Sequence, residues 1–397
     1  MNLVLAGGGT GGHVYPALAL AGALRRRDPD ARMLFIGSAS GMEASLVPAA
    51  GVPFAGLVVR PPRSRSALRT AVALGTGAAG VLQAAAIVAR FRPDAVVATG
   101  GIAASPAVAA AWAMRIPVVL VEGNAAPGRA NALLARFARA VAVTSDEASA
   151  RVPGGRALVT GLPIRPEVYS TPRAEGLRAF RLDPGRRTVL VLGGSQGAAR
   201  LTAAVDEMAV RLAGRQDLQI LHQTGRGWQG GAGGNGAPLP AAAAGPDAPS
   251  RGGAAPLADP GGLLHVRVPY FDQIGLAYGC ADLVISRCGA TALAEITACG
   301  LPAVLVPYRY AAGGHQAENA APLVRAGAAV LVADDAVDAG TLTRAVTEIL
   351  DVPGRTDAMA ARSKALGRPD ASDRVLALLE RVRGASGRPA VSKESHA

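Results

Sequence analysis

Two glycine-rich turns, one in each half of the 397-residue chain, directly follow short aliphatic runs. The first is Gly7-Gly8-Gly9-Thr10-Gly11-Gly12-His13, after Leu3-Val4-Leu5-Ala6. The second is Gly193-Gly194-Ser195-Gln196-Gly197, after Val189-Leu190-Val191-Leu192. Each reads as a buried parallel strand that feeds through a tight turn into a helix. Glycine admits backbone angles closed to other residues and lets a ligand approach the main chain. The helix beyond offers free N–H groups and a partial positive charge, which suits phosphate. A chain carrying this device twice is expected to be α/β, with two Rossmann-like parallel-sheet domains facing a cleft. That arrangement fits an enzyme handling a nucleotide-diphosphate donor and a second substrate.

Short Val/Leu/Ile runs alternate with longer Ala/Leu helical stretches. Strands are expected at Asn2–Ala6, Met33–Ile36, Ala95–Thr99, Val118–Val121, Ala140–Thr144 and Ala157–Thr160. In the second half they are expected at Thr188–Leu192, Gln219–His222, Leu264–Val268, Leu283–Ser286, Ala303–Val306 and Ala329–Val332. Continuous apolar strands separated by helices indicate parallel sheets covered on both faces. The strand–helix order restarts after the joint Leu162-Pro163-Ile164-Arg165-Pro166. The expected division is therefore a first domain over 1–163 and a second over 164–355, then a C-terminal helix over 356–383 and a loose tail over 384–397. Gln229–Gly262 is almost all Gly, Ala and Pro; it cannot bury enough apolar surface to offset its ordering entropy and is expected to be a disordered insertion.

Half the chain is hydrophobic but only 4% is aromatic, so Ala, Val and Leu must fill the cores. The net charge of +12 points to anionic partners. Nucleic acid is not among those expected, because zinc-finger spacing, an aromatic RNA-binding motif and a helix-turn-helix signature are all missing. Three cysteines, Cys280, Cys288 and Cys299, form no C-x-x-C pair, which argues against a disulfide framework. The N-terminal apolar run is too short for a signal peptide. Thr70–Ala89 carries no charge, but it is poor in large apolar residues and contains three glycines. It reads as a core helix or a helix lying on a membrane surface rather than a membrane span. Arg60, Arg63, Arg65 and Arg69 before it, with Arg90 and Arg92 after it, suit anionic headgroups.

Gly7-x-Gly9-x-x-Gly12 matches the dinucleotide fingerprint, but a nicotinamide site wants an acid about 20 residues on, at the end of the second strand. That strand here ends Phe35-Ile36-Gly37-Ser38. The Walker pattern is absent. A third glycine turn, Thr99-Gly100-Gly101, and the run Glu122-Gly123-Asn124 both follow strands, so His13, Gly101, Glu122 and Asn124 could line one wall of a cleft. In the second half Arg287-Cys288-Gly289-Ala290-Thr291-Ala292-Leu293-Ala294-Glu295 again reads as strand, small-residue turn and helix. Its turn amides can bind a diphosphate without metal, and Glu295 could accept from ribose hydroxyls or simply compensate the helix dipole. Cys288 has no evident partner base, which argues against a nucleophile. Gln316 and Asn319, three apart, share a face if a helix starts there, and their amides suit sugar hydroxyls or capping.

Taken in order, GGGTGGHVYPALALA, ATGG, VEGNAAPGRAN, TGLPIRP, LGGSQGAARL, HQTG, SRCGATALAEI and ACGLPAVLVPYRYAAGGHQAENA closely resemble the MurG family, from Leu3 to about Ala365. That family consists of the UDP-N-acetylglucosamine:lipid I N-acetylglucosaminyltransferases of peptidoglycan synthesis. The resemblance implies the two-domain GT-B glycosyltransferase fold. It implies inverting transfer of N-acetylglucosamine (GlcNAc) from UDP-GlcNAc to the MurNAc C4 hydroxyl of undecaprenyl-pyrophosphoryl-MurNAc-pentapeptide (lipid I), giving lipid II. By motif match Thr10, Gly11, Gly12 and Asn124 would touch the donor, Arg165 and Ser195 would approach the nucleotide, and Phe271 would contact uracil. Ala290, Thr291, Ala292, Leu293, Ala294 and Glu295 would hold diphosphate and ribose, and Gln316 and Asn319 the sugar. The stretch around Leu68–Val88 corresponds to the family's membrane-associating patch, implying peripheral binding to an anionic membrane at the cytoplasmic face. The chain departs from the family pattern at Ile102, where Tyr is usual, at Val121–Asn124, where His-Glu-Gln-Asn is common, and at Gly161-Leu162-Pro163, where Gly-Asn-Pro is common.

Inverting transfer needs a base for the acceptor proton and relief of charge on departing UDP. His13 is the leading base candidate, since it lies at the glycine turn and imidazole titrates near neutral pH; its rival role is to position the acceptor pyrophosphate, and Glu122 is the second base candidate. No D-x-D motif sits at a strand end, so no metal or other cofactor is expected. The alternatives are a UDP-GlcNAc epimerase, a non-catalytic lipid-pyrophosphate binder, and a glycolipid transferase with another acceptor.

Overall fold

The structure is a computed structural model that describes residues 1–59, 67–194, 197–225, 257–258, 262–311 and 314–384. The chain forms two compact units. The first contains Met1–Arg165 and the C-terminal helix Ala371–Gly384; the second is Pro166–Pro369.

In the first unit the strands are β1 (Asn2–Gly7), β2 (Arg32–Ser38), β3 (Phe54–Leu57), β4 (Ala95–Gly100), β5 (Val118–Val121), β6 (Ala140–Val143) and β7 (Ala157–Val159). They form one sheet in the order β3-β2-β1-β4-β5-β6-β7, with every pair parallel. Leu3, Val4, Leu5, Val96, Val97, Val119 and Val141 are buried whichever way they point. That is why these strands read as unbroken apolar runs: helices cover both faces.

The second unit carries β8 (Arg187–Leu192), β9 (Leu218–Gln223), β10 (Leu257–Ala258), β11 (Leu264–Val268), β12 (Leu283–Arg287), β13 (Ala303–Val306) and β14 (Ala329–Leu331). The order is β10-β11-β9-β8-β12-β13-β14, parallel except for β10, which pairs antiparallel at one edge. Two apolar clusters, one centred on Leu190, Val284 and Ile296 and the other on Val191, Ile285 and Val346, cover opposite faces.

Strand order reverses between β1 and β4 in the first sheet and between β8 and β12 in the second. Open α/β sheets bind ligands at such switch points, outside the carboxyl ends of the strands. Both glycine turns leave from one side of a switch point. Gly100-Gly101 and Cys288-Gly289 leave from the other.

Three details differ from the sequence expectations. The short edge strand β3 was not anticipated, and neither was β10, which falls inside the segment expected to be disordered; most of Gln229–Gly262, like the tail after Gly384, lies outside the described residues. The single helix expected over 356–383 is two, Arg355–Leu366 and Ala371–Gly384. Pro369 accounts for the break, since the residue before a proline is pushed out of helical geometry. Only the second of these helices belongs to the first unit, where Arg27 pairs with Glu380 at 3.0 Å.

The uncharged stretch forms the helix Ala67–Phe91. Gly80, Ala84 and Val88, spaced by four, face inward, while Leu82 is exposed. Among the described residues no helix is long and apolar enough to cross a membrane.

Candidate active site

In the first unit, β1 runs through Gly7–Gly9 into the helix Gly11–Arg27. Thr10 is the N-cap but makes no capping bond with its side chain. The first-turn amides of Gly11 and Gly12 therefore keep the donor capacity of an uncapped helix start. His13, half-buried, turns Nδ1 onto the Gly8 carbonyl oxygen at 3.0 Å, with Thr10 Oγ1 at 3.3 Å. A carbonyl only accepts, so Nδ1 carries the proton and Nε2 is left as the basic nitrogen. Thr99 on β4 ties down the same helix start by donating to the His13 carbonyl oxygen at 2.7 Å.

Gly101, at φ +83°, lets the third turn close against the first. A Cβ there would lie 2.4 Å from the Gly8 oxygen and 3.2 Å from His13 Nδ1. Next along the edge, Glu122 directly follows β5 and is only 2% exposed. Its Oε1 accepts from Asn124 N and Nδ2 at 2.8 and 3.0 Å. Its Oε2 accepts from Asn131 Nδ2 at 2.8 Å and Gly128 N at 3.3 Å. Four donors on one buried carboxylate build the loop that carries Asn124; they do not leave a base facing a substrate. Arg165, at the end of the unit, lies over the Tyr15 ring at 4.9 Å from its centroid.

In the second unit, β12 leads through Cys288 into the helix Ala290–Cys299. Gly289 caps this helix with backbone only, so the amides of Ala290, Thr291 and Ala292 open outward. The Thr291 hydroxyl is buried and has no hydrogen-bond partner among the described residues, which suits a ligand oxygen. Leu293 points into the core, so only its backbone could serve a ligand. Glu295 accepts a 3.1 Å bond from the hydroxyl of the buried Tyr278. Sequence reading missed Tyr278, because nothing in the chain marks it as a neighbour of Glu295.

Gln316 and Asn319 do lie on one helix, and they grip Cys288 from two sides. Gln316 Oε1 accepts from Cys288 N at 3.1 Å and from Tyr308 N at 2.8 Å, while Asn319 Nδ2 donates to the Cys288 oxygen at 3.2 Å. Burial pushes the Cys288 thiol up to about 12, which removes it as a nucleophile at neutral pH. Phe271 lies in the core against Phe180, ring centroids 5.3 Å apart, so a uracil would meet its backbone rather than its ring. Ser195 lies outside the described residues.

Among the described residues, Asp206, His222 and His265 could bring metal-ligating atoms within 4.8 Å of one another. Arg267 already holds Asp206 through bonds of 2.9 and 3.1 Å, so a cation entering there would meet a guanidinium. Burial first, then Arg267, pushes His222 down to about 3, and the same causes lower His265.

Two parallel-sheet units, each with a glycine turn at its switch point, are the GT-B architecture of glycosyltransferases. The chain belongs to glycosyltransferase family 28: the family's N-terminal domain matches residues 3–143 and its C-terminal domain matches 188–232 and 255–375. Within that family, the chain is 39% identical over 392 residues to the UDP-N-acetylglucosamine--N-acetylmuramyl-(pentapeptide) pyrophosphoryl-undecaprenol N-acetylglucosamine transferase of Desulforudis audaxviator, covering 97% of this chain and 99% of that protein. The crystal structure of Acinetobacter baumannii MurG superposes with a TM-score of 0.69 at 25% identity, covering 96% of this chain and 99% of that one. UDP-GlcNAc 2-epimerase from Neisseria meningitidis, at 12% identity and a TM-score of 0.64, covers 96% of this chain and 100% of its own, and shares the fold alone.

Proposed function

We propose that this chain is the hexosyltransferase that moves N-acetylglucosamine from UDP-GlcNAc to the C4 hydroxyl of the MurNAc residue of lipid I, with inversion, to form lipid II. The second unit holds the donor. Amides and the Thr291 hydroxyl at the start of the helix Ala290–Cys299 receive the diphosphate, and the helix terminus offsets its growing charge as UDP departs. Glu295, steadied by Tyr278, accepts from the ribose hydroxyls. Gln316 places its amide nitrogen toward the sugar while its oxygen holds the Cys288 loop.

The first unit supplies the base. His13 Nε2 takes the proton of the acceptor hydroxyl as its oxygen attacks the anomeric carbon and the bond to the UDP oxygen breaks. Glu122 keeps the Asn124 loop in place. The observation that carries the reading is the near-full-length likeness to transferases named for this reaction, together with a histidine whose tautomer leaves Nε2 basic at the β1 turn.

Membrane attachment is peripheral in this reading, at the cytoplasmic face, where cell-wall precursors are assembled for growth and division. Trp112, 58% exposed, meets Phe137 edge-on at 5.3 Å, and Leu133, four residues before Phe137, is 54% exposed. Exposed Arg115, Arg129, Arg136 and Arg139 lie close by in sequence. Apolar surface beside arginines suits anionic headgroups.

The test is UDP release from UDP-GlcNAc with and without a lipid I analogue. Release that depends on the analogue supports the transferase. Turnover of the donor alone to an epimer would support the epimerase instead.

A further inference from the structure

We propose that Glu43 is a positioning residue for His13, acting through the single peptide group that joins Gly8 to Gly9. Glu43 opens the helix after β2 and is completely buried. A buried carboxylate is costly unless hydrogen bonds compensate it. Here the compensation comes from backbone amides: Ser38 N donates to Oε1 at 2.9 Å, and Gly9 N donates to Oε2 at 3.1 Å. Three glycines, Gly8, Gly37 and Gly41, make room for the Glu43 side chain. A Cβ on Gly8 would come within 2.0 Å of it, one on Gly41 within 2.3 Å, and one on Gly37 within 2.8 Å of the Glu43 Cγ.

The Gly9 N–H and the Gly8 C=O belong to one peptide unit. That unit is planar and trans, so the two groups point in opposite directions. Holding the N–H toward Glu43 aims the C=O away from it, and there the Gly8 oxygen meets His13 Nδ1 at 3.0 Å. The path runs from the Glu43 carboxylate through the Gly9 amide and Gly8 carbonyl to the imidazole N–H. Hydrogen bonds in such a series polarise one another. The relay fixes the Nδ1–H tautomer and the ring's direction, as an orienting carboxylate does in a catalytic triad. It also withdraws the Gly9 amide from any phosphate that approaches the turn. The sequence does not show this role of Glu43, because Gly9 lies 34 residues away, just past the end of β1.

The proposal rests on His13 as the base, so the test separates the two. Transfer to a lipid I analogue is measured for the wild type, Glu43→Gln, His13→Ala and the double variant. In Glu43→Gln one N–H loses its acceptor and faces an amide instead. The expected result is a kcat lower by about 10-fold or more, with KM for both substrates within about twofold, because only the base is misdirected. In the His13→Ala background the same change should cost nothing further. Wild-type kcat in Glu43→Gln, or an equal loss in both backgrounds, overturns the proposal. The imidazole 15N shifts of His13 provide a readout independent of activity: the wild type shows Nδ1–H, and Glu43→Gln shows a mixture of tautomers. An unchanged tautomer overturns the relay even if no transfer is measurable. A Glu43→Asp variant, one methylene shorter and reaching only one amide, takes the place of Glu43→Gln if the latter does not fold.

Discussion

The Nδ1 atom of His13 lies 3.0 Å from the carbonyl oxygen of Gly8, five residues before it. In the proposed mechanism this contact engages Nδ1 and leaves Nε2 to act as the base. His13→Ala should lower kcat for transfer by about 100-fold or more while UDP affinity stays within about twofold, since the proposed nucleotide contacts are made by the second unit. Steady-state kinetics with calorimetry of UDP binding checks both halves of that expectation. Near-normal turnover would remove His13 from the reaction.

Gly101 is required by the same contact. Alanine at its φ of +83° is strained, and the new methyl would collide with the Gly8 oxygen at 2.4 Å. The cost should be about 1–3 kcal/mol of stability, seen in denaturant melts. Because the displaced atom is the one that orients His13, kcat should fall as well, by more than the loss of folded protein explains.

The clamp on Cys288 predicts a different signature. Asn319→Ala leaves the Cys288 carbonyl without its 3.2 Å donor at a buried position, which should cost about 1–3 kcal/mol. The loop it holds leads into the helix Ala290–Cys299, the proposed diphosphate site, so KM for UDP-GlcNAc should rise more than kcat falls. Thermal melts with and without UDP read both effects.

Much of the fold was legible because the central strands of both sheets are parallel and covered on two faces, so each is a compact apolar run. β3 was not, since Phe54-Ala55-Gly56-Leu57 is short and only part-buried at an edge. The two-residue β10 depends wholly on its pairing with β11. The glycine turns advertised the sites for the same reason they form them. What the sequence hid were polar partners brought together by topology: Glu43 with Gly9, Tyr278 with Glu295, and Asn131 with Glu122. It also hid that Glu122 is spent on four donors, because a carboxylate looks the same in sequence whether it is free or fully engaged.

The buried pair His222 and His265 should make folding sensitive to mild acid. Burial and Arg267 lower both in the folded state, His222 to about 3, against an ordinary value of 6.5. Below the unfolded value the unfolded chain binds more protons, so stability is present above about pH 6.5 and is lost as pH falls from there toward 3. The slope is at most about 1.4 kcal/mol per pH unit for each histidine. Melts between pH 7.5 and 5 should show the midpoint falling, and His265→Phe should flatten the dependence.

Contact with anionic bilayers predicts a salt-sensitive shift of tryptophan emission to the blue when vesicles containing phosphatidylglycerol are added. Arg136→Ala should weaken binding about fivefold, corresponding to about 1 kcal/mol for one arginine near a charged surface. Binding indifferent to lipid charge would contradict the peripheral reading.

The central claim, inverting transfer from a donor held by backbone amides to an acceptor deprotonated by His13, is tested most directly by the linkage made. Purified protein, UDP-GlcNAc and a lipid I analogue should give one product, with N-acetylglucosamine joined in β configuration to C4 of MurNAc, identified by mass and by its anomeric proton coupling. An α linkage, attachment at another position, or release of UDP with no glycosylated acceptor would contradict it.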